Sequence, residues 1–169
     1  MFNQAIVRIG VRYGVICGIA SFALVLLTYF IGYNPLNESG RLSFFALPVF
    51  IFLGMKYYKQ FLDTELSFFK GLRVGLAISF YTALVAAMLL FIFLYFFGHE
   101  LVKEYLAEMQ RILEATREES IQLYGQEIYE QSLKELGSMS LSRLASFDFM
   151  ARLVVGSLIS VVAAVFFRK

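Results

Sequence analysis

The 169-residue sequence has no tryptophan, one cysteine, one histidine and two prolines. A lone cysteine, Cys17, cannot close an internal disulfide, and one cysteine with one histidine cannot build a structural metal site. Charged residues make up 17% of the chain and the net charge is only +2, whereas soluble domains carry about 25% charged residues. This balance gives no reason to expect either nucleic acid or an acidic partner. There is no phosphate loop, dinucleotide fingerprint or metal-ligand cluster, so no cofactor is expected. Apolar residues are plentiful: 59% of the chain, with 19 Phe, 10 Tyr and a mean hydropathy of +0.70. A chain this short has too much surface per volume to hide that in a soluble core, so a lipid bilayer is its natural solvent.

The apolar residues are grouped. Tyr13 to Asn37 and Val74 to Gly98 are each 25 residues without a charge, longer than the roughly 20 needed to cross hydrocarbon. Two further runs are shorter. Leu42 to Met55, 14 residues, contains Pro48, and Leu153 to Phe167 has 15. Flanking charges at Arg41, Lys56, Arg152 and Arg168 can snorkel outward and lengthen both spans. Tyr57 and Tyr58 sit where an interfacial aromatic belt belongs. The expectation is an all-α polytopic membrane protein with four transmembrane helices, at about 11–33, 42–58, 72–98 and 148–167, forming one domain. The first span is too long for a signal-peptide core and lacks a small-residue cleavage site. Pro48 is expected to kink the second helix or to shape a cavity beside it.

Charge sets the expected orientation. Arg8 and Arg12 precede the first span, Lys56, Lys59, Lys70 and Arg73 lie between the second and third, and Arg168-Lys169 close the chain. Lys and Arg near helix ends stay on the cytoplasmic side. Both termini and the second loop are therefore expected to be cytoplasmic, with Arg12, Arg41, Lys56, Arg73, Arg152 and Arg168 as interface anchors. The segment His99 to Arg152, with ten acids and six bases, then faces outward.

Small residues recur at four-residue spacing, as Gly10, Gly14 and Gly18 in the first helix and as Gly71, Gly75, Ser79 and Ala83 in the third. Such stripes let two membrane helices approach closely. The expected pairing is the first helix against the third, or against a second copy of the chain; a general enrichment of Gly and Ala in membrane helices is the plainer reading. Gly10-Val11-Arg12-Tyr13-Gly14-Val15 also echoes Gly71-Leu72-Arg73-Val74-Gly75-Leu76, as a parallel repeat of two hairpins would.

Between the third and fourth spans, residues 99–140 read as an extramembrane helical hairpin. Val102, Tyr105, Met109 and Ile112 follow helical spacing, Gly125 marks a turn, and Ile128 and Tyr129 lie on a second short helix ending near Gly137. Tyr105, Met109, Ile112, Ile128 and Tyr129 are the candidate partner surface. Alternatively this stripe packs on itself or lies on lipid.

Chemistry-bearing groups are few. Asp148 and Arg152 lie one helical turn apart at the mouth of the fourth span, where an exposed pair contributes about 0.3–0.5 kcal/mol as a tether. His99 stands alone. Ser21, Thr28, Ser79 and Thr82 are placed to back-bond within their own helices, and none has the neighbours of a nucleophile.

Taken in order, Tyr13-Gly14 through Gly18, Gly54-Met55-Lys56-Tyr57-Tyr58 and Ser67-Phe68-Phe69-Lys70-Gly71-Leu72-Arg73-Val74-Gly75-Leu76, followed by a charged helical segment and an apolar helix ending in Arg-Lys, resemble the bacterial family catalogued as domain of unknown function 4199. The resemblance covers nearly the whole chain and implies a four-helix protein of the bacterial inner membrane. It supplies no reaction, ligand or catalytic residue. Together these readings point to a non-enzymatic scaffold, assembly or envelope-sensing subunit whose partners are the bilayer and another membrane protein or copy. The rival is a small transporter or channel component, which needs polar groups converging at mid-membrane.

Overall fold

The computed structural model describes residues 4–62 and 65–168, and among them the regular structure is entirely helical. Helix α1 spans Gln4–Phe30, a 3₁₀ segment covers Glu38–Phe45 and leads into α2 (Ala46–Phe61), and α3 spans Phe68–Phe97. Three shorter helices follow, α4 (His99–Ala115), α5 (Arg117–Tyr124) and α6 (Gln126–Gly137), before α7 (Leu141–Phe167). Four stretches are long and apolar enough to cross a membrane: α1, the 3₁₀ segment with α2, α3 and α7. At 1.5 Å per residue, the 27 residues of α1 reach about 40 Å, beyond the roughly 30 Å hydrocarbon core.

The bundle is built around α3, which packs along α1 on one side and α7 on the other; α2 touches all three. Large apolar side chains point outward, including Ile16, Ile19 and Leu27 of α1 and Leu158, Val162 and Phe166 of α7. Buried positions in these helices are often small or polar: Gly14, Cys17, Gly18 and Ser21 in α1, Gly75, Ser79, Thr82 and Ala83 in α3, Gly156, Ser160 and Ala164 in α7. Lipid is as apolar as leucine, so large residues gain nothing by turning inward, whereas small ones allow backbones to meet.

Contacts at each end fix which segments share a side. Lys59 Nζ donates to the Phe167 carbonyl at 3.0 Å, and the Tyr13 and Tyr57 rings lie 5.9 Å apart. The start of α1, the α2–α3 connection and the end of α7 therefore gather at one end. At the other end, Asn34 Nδ2 donates to the Leu101 carbonyl at 2.8 Å and Asn37 Nδ2 bonds Glu108. These bonds tie the α1–3₁₀ turn to α4.

Several local details differ from expectation. Pro48 produces no mid-helix kink. It lies in the first turn of α2, where a missing N–H is least costly. The segment 99–140 forms three helices rather than two. Besides Gly125, whose φ of +88° favours glycine, the chain breaks at Thr116, where the hydroxyl donates to the Ile112 carbonyl at 2.9 Å. Gly98 interrupts the α3–α4 passage by one residue, but its N–H bonds Leu94 and its carbonyl accepts from Val102, so the helical bonding pattern carries across.

Candidate functional site

Two different helix contacts use the small residues. A methyl placed on Gly10 would lie 2.7 Å from Ala77 Cβ, on Gly14 2.6 Å from Tyr81 Cβ, and on Gly18 2.8 Å from Val85 Cβ. The contact between α1 and α3 is thus parallel, with glycine on the α1 side only. The α3 stripe faces elsewhere. Gly71 meets Ala164, a methyl on Gly75 would be 2.6 Å from Ser160 Cβ, and one on Gly156 would be 2.6 Å from Ser79 Cβ. The α3–α7 contact is antiparallel, each four-residue step up α3 matched by one down α7. The first helix does pack against the third, but the two glycine stripes do not face each other: α3 has two faces, and α7 covers the glycine-bearing one. The α7 stripe Gly156-Ser160-Ala164 has the same four-residue signature and was open to the same sequence argument.

Extended by one more step, this register sets Ala83 opposite Arg152. Arg152 was expected to snorkel to the interface, but its side chain is only 2% exposed, and among the described residues it is the one charged group in the buried set. The physical reason lies in its surroundings. Asp148, one turn earlier on the same helix face, accepts from Arg152 Nε at 2.7 Å. Ser43 of the 3₁₀ segment accepts from Nη2 at 2.9 Å while donating to the Gly40 carbonyl at 2.7 Å. The guanidinium carbon stands 4.6 Å from the centre of the Phe44 ring, close enough for a cation–π attraction. A bidentate carboxylate would satisfy the fork better; here Nη1 is buried without a hydrogen-bond partner among the described residues, and the Phe44 face is its compensation. Burying a charged side chain in this way carries a desolvation cost of several kcal/mol per ion, which these contacts offset.

The arginine borders a cluster of small polar groups. Ser79 Oγ and Ser160 Oγ lie 3.3 Å apart across the α3–α7 contact, and each also donates within its own helix, to Gly75 and Gly156. Thr82 donates to the Ile78 carbonyl at 2.8 Å. Cys17 lies by the Ser21 and Thr82 hydroxyls and within Coulombic range of Arg152. Ser43 and Phe44 could not be found from the sequence, because only the folded chain brings the 3₁₀ segment to α7.

The remaining candidates are dispersed. Arg12, Arg41, Lys56, Arg73 and Arg168 are exposed. Arg12 sits over the Tyr57 ring at 5.7 Å and Arg41 pairs with Glu38 at 3.2 Å. Tyr58 is not part of a surface belt: it is buried in the core with Met55 and Ile51, since it falls on the inward face of α2. Tyr105 and Met109 are half-buried, Ile112 and Ile128 are exposed. Tyr129 is corrected as a partner-facing residue. At 7% exposure it is enclosed within the arm, where α6 folds back on α4 and α5.

Among the described residues no His, Cys, Asp and Glu group is placed to hold a metal ion. No curated protein and no solved structure matches the chain. Residues 12–169, nearly the full length, match the family the glycine motifs resemble, and the chain belongs to the family described as protein of unknown function (DUF4199).

Proposed function

We propose that this protein is a non-enzymatic subunit of the bacterial inner membrane that works through contacts: its bundle is an anchor, and α4–α6 form an arm held out to a protein partner. The observation that carries this reading is the apolar surface left at the arm's far end. Ile112, Leu123, Tyr124 and Ile128 are each about half exposed or more, on helices otherwise rich in charge. Asn34 and Asn37 brace the base of α4, so the arm is positioned rather than loose. With the basic short segments inside, the arm faces away from the cytoplasm. The test is photocrosslinking from position 112 or 128 in intact cells. One reproducible protein adduct, whether a second copy or another membrane protein, supports the reading; adducts with lipid alone overturn it. Labelling of a cysteine introduced at Ser120 in a Cys17→Ala background from outside the cytoplasm supports the orientation.

A second reading, a small transporter or channel component, is favoured by the polar centre. Ser21 and Thr82 lie by Cys17, Ser79 meets Ser160, and Arg152 is buried in the same bundle, where a passive anchor needs only apolar packing. A solute flux in reconstituted vesicles that Thr82→Val abolishes would support it.

A further inference from the structure

We infer that the 3₁₀ segment Glu38–Phe45 is a gate over the buried polar centre, latched shut by Arg152 through Ser43 and Phe44. Two independent features of the fold lead there. First, the segment is an unusual helix: it is eight residues long, and 3₁₀ runs beyond three or four residues are uncommon because their hydrogen bonds are poorly aligned. It continues directly into the α-helical α2, so the α form is an accessible alternative. Converting eight residues from a rise of about 2.0 Å to about 1.5 Å would shorten the segment by about 4 Å and turn its far end through close to half a revolution. Ser43 and Phe44 would then leave the guanidinium.

Second, the latch is poised. Arg152 holds the segment by one hydrogen bond to Ser43 and by the Phe44 face. Its Nη1 is buried with its hydrogen-bonding capacity unused. A polar atom left so disfavours the closed form and gains a partner as soon as water enters. The segment packs against α1 as well as α2, and Phe44 packs against the same buried cluster as Cys17, so its release opens a way to Cys17. The gate sits at the end of the bundle that bears α4, through the Asn34 and Asn37 bonds, so movement of the arm bears on it. This inference deepens the transport reading of the polar centre, but its test uses no flux, and a closed gate with measured transport, or an opening gate without it, separates the two.

Cys17 supplies the reporter, since it is the chain's one cysteine and is fully buried. The rate at which a small methanethiosulfonate modifies Cys17 is measured in the detergent-solubilised full chain. Ser43→Ala and Arg152→Lys should each raise that rate about tenfold, as expected when a charge-assisted hydrogen bond is lost. Val25→Ala, in the separate core cluster around Phe93, should leave it within about twofold even when it lowers thermal stability as much. An equal rise in all three variants, or none in Ser43→Ala, overturns the gate. The unmodified protein gives a second measurement: amides of residues 40–46 should exchange about tenfold faster than those of 51–58 in the same span. Equal protection along the span overturns the proposal as well.

Discussion

The bundle and the arm solve the same problem in opposite ways. Along α3 and α7 many inner positions are glycine, alanine or serine where the backbones meet, beside buried Val74, Ile78, Leu90, Phe93 and Leu94, while many other large apolar residues face outward. In α4–α6 charges cover the surface, Tyr129 is the one buried residue of those helices, and apolar side chains are left at the tip. The difference teaches that removal of apolar surface from water is not what holds the bundle's helices together, even where apolar clusters form between them. Close backbone approach is, because the solvent there has no water to release. The arm, in contrast, depends on ordinary hydrophobic burial and has little of it, which suits an element whose apolar surface is completed by something else.

The sharpest way to break this contrast is to place an unpaired charge in the bundle. Arg152→Met leaves Asp148 without its partner and should lower detergent-state stability by about 3–5 kcal/mol. The double variant Arg152→Met with Asp148→Leu should recover most of that loss in a chemical-denaturation cycle. No recovery would mean that Ser43 and Phe44, rather than the ion pair, carry the energy. Next come the close contacts. Gly14→Leu or Gly75→Leu should cost about 3 kcal/mol by overpacking, since even a methyl meets Tyr81 or Ser160 at 2.6 Å; Leu26→Ala, at the bundle edge, should cost clearly less in the same thermal assay. A smaller effect is expected where hydroxyls meet. Ser160→Ala removes the contact with Ser79 and should cost about 0.6 kcal/mol, the usual size of such bonds in membranes. Smallest of all, Ile128→Ser on the arm should change stability by no more than about 0.5 kcal/mol, yet it should diminish any crosslink captured from position 112.

Much of this architecture was legible in the residues. The two uncharged runs and the charges that bracket them located the long spans, and Gly125 located the turn in the arm, because glycine is the residue that accepts a positive φ without strain. The second span was harder to read, since its first part is a 3₁₀ helix rich in polar residues, Glu38-Ser39-Gly40-Arg41, that resembles a loop. Tyr58 and Tyr129 were read as surface because tyrosine suits an interface, but the rotation of α2 and the fold-back of α6 decide which way they point, and a single helix does not encode its own rotation.

Sequence alone determined that this chain lives in lipid, how many membrane-length helices it has and which family it belongs to, because hydropathy and length answer to the solvent and not to the fold. Tertiary structure alone decided that the α3 glycines meet α7 rather than α1, and that Arg152 turns inward to Ser43 and Phe44 instead of outward to water. Both are choices of partner between segments far apart in the chain, and the energy that makes them exists only once the helices are side by side.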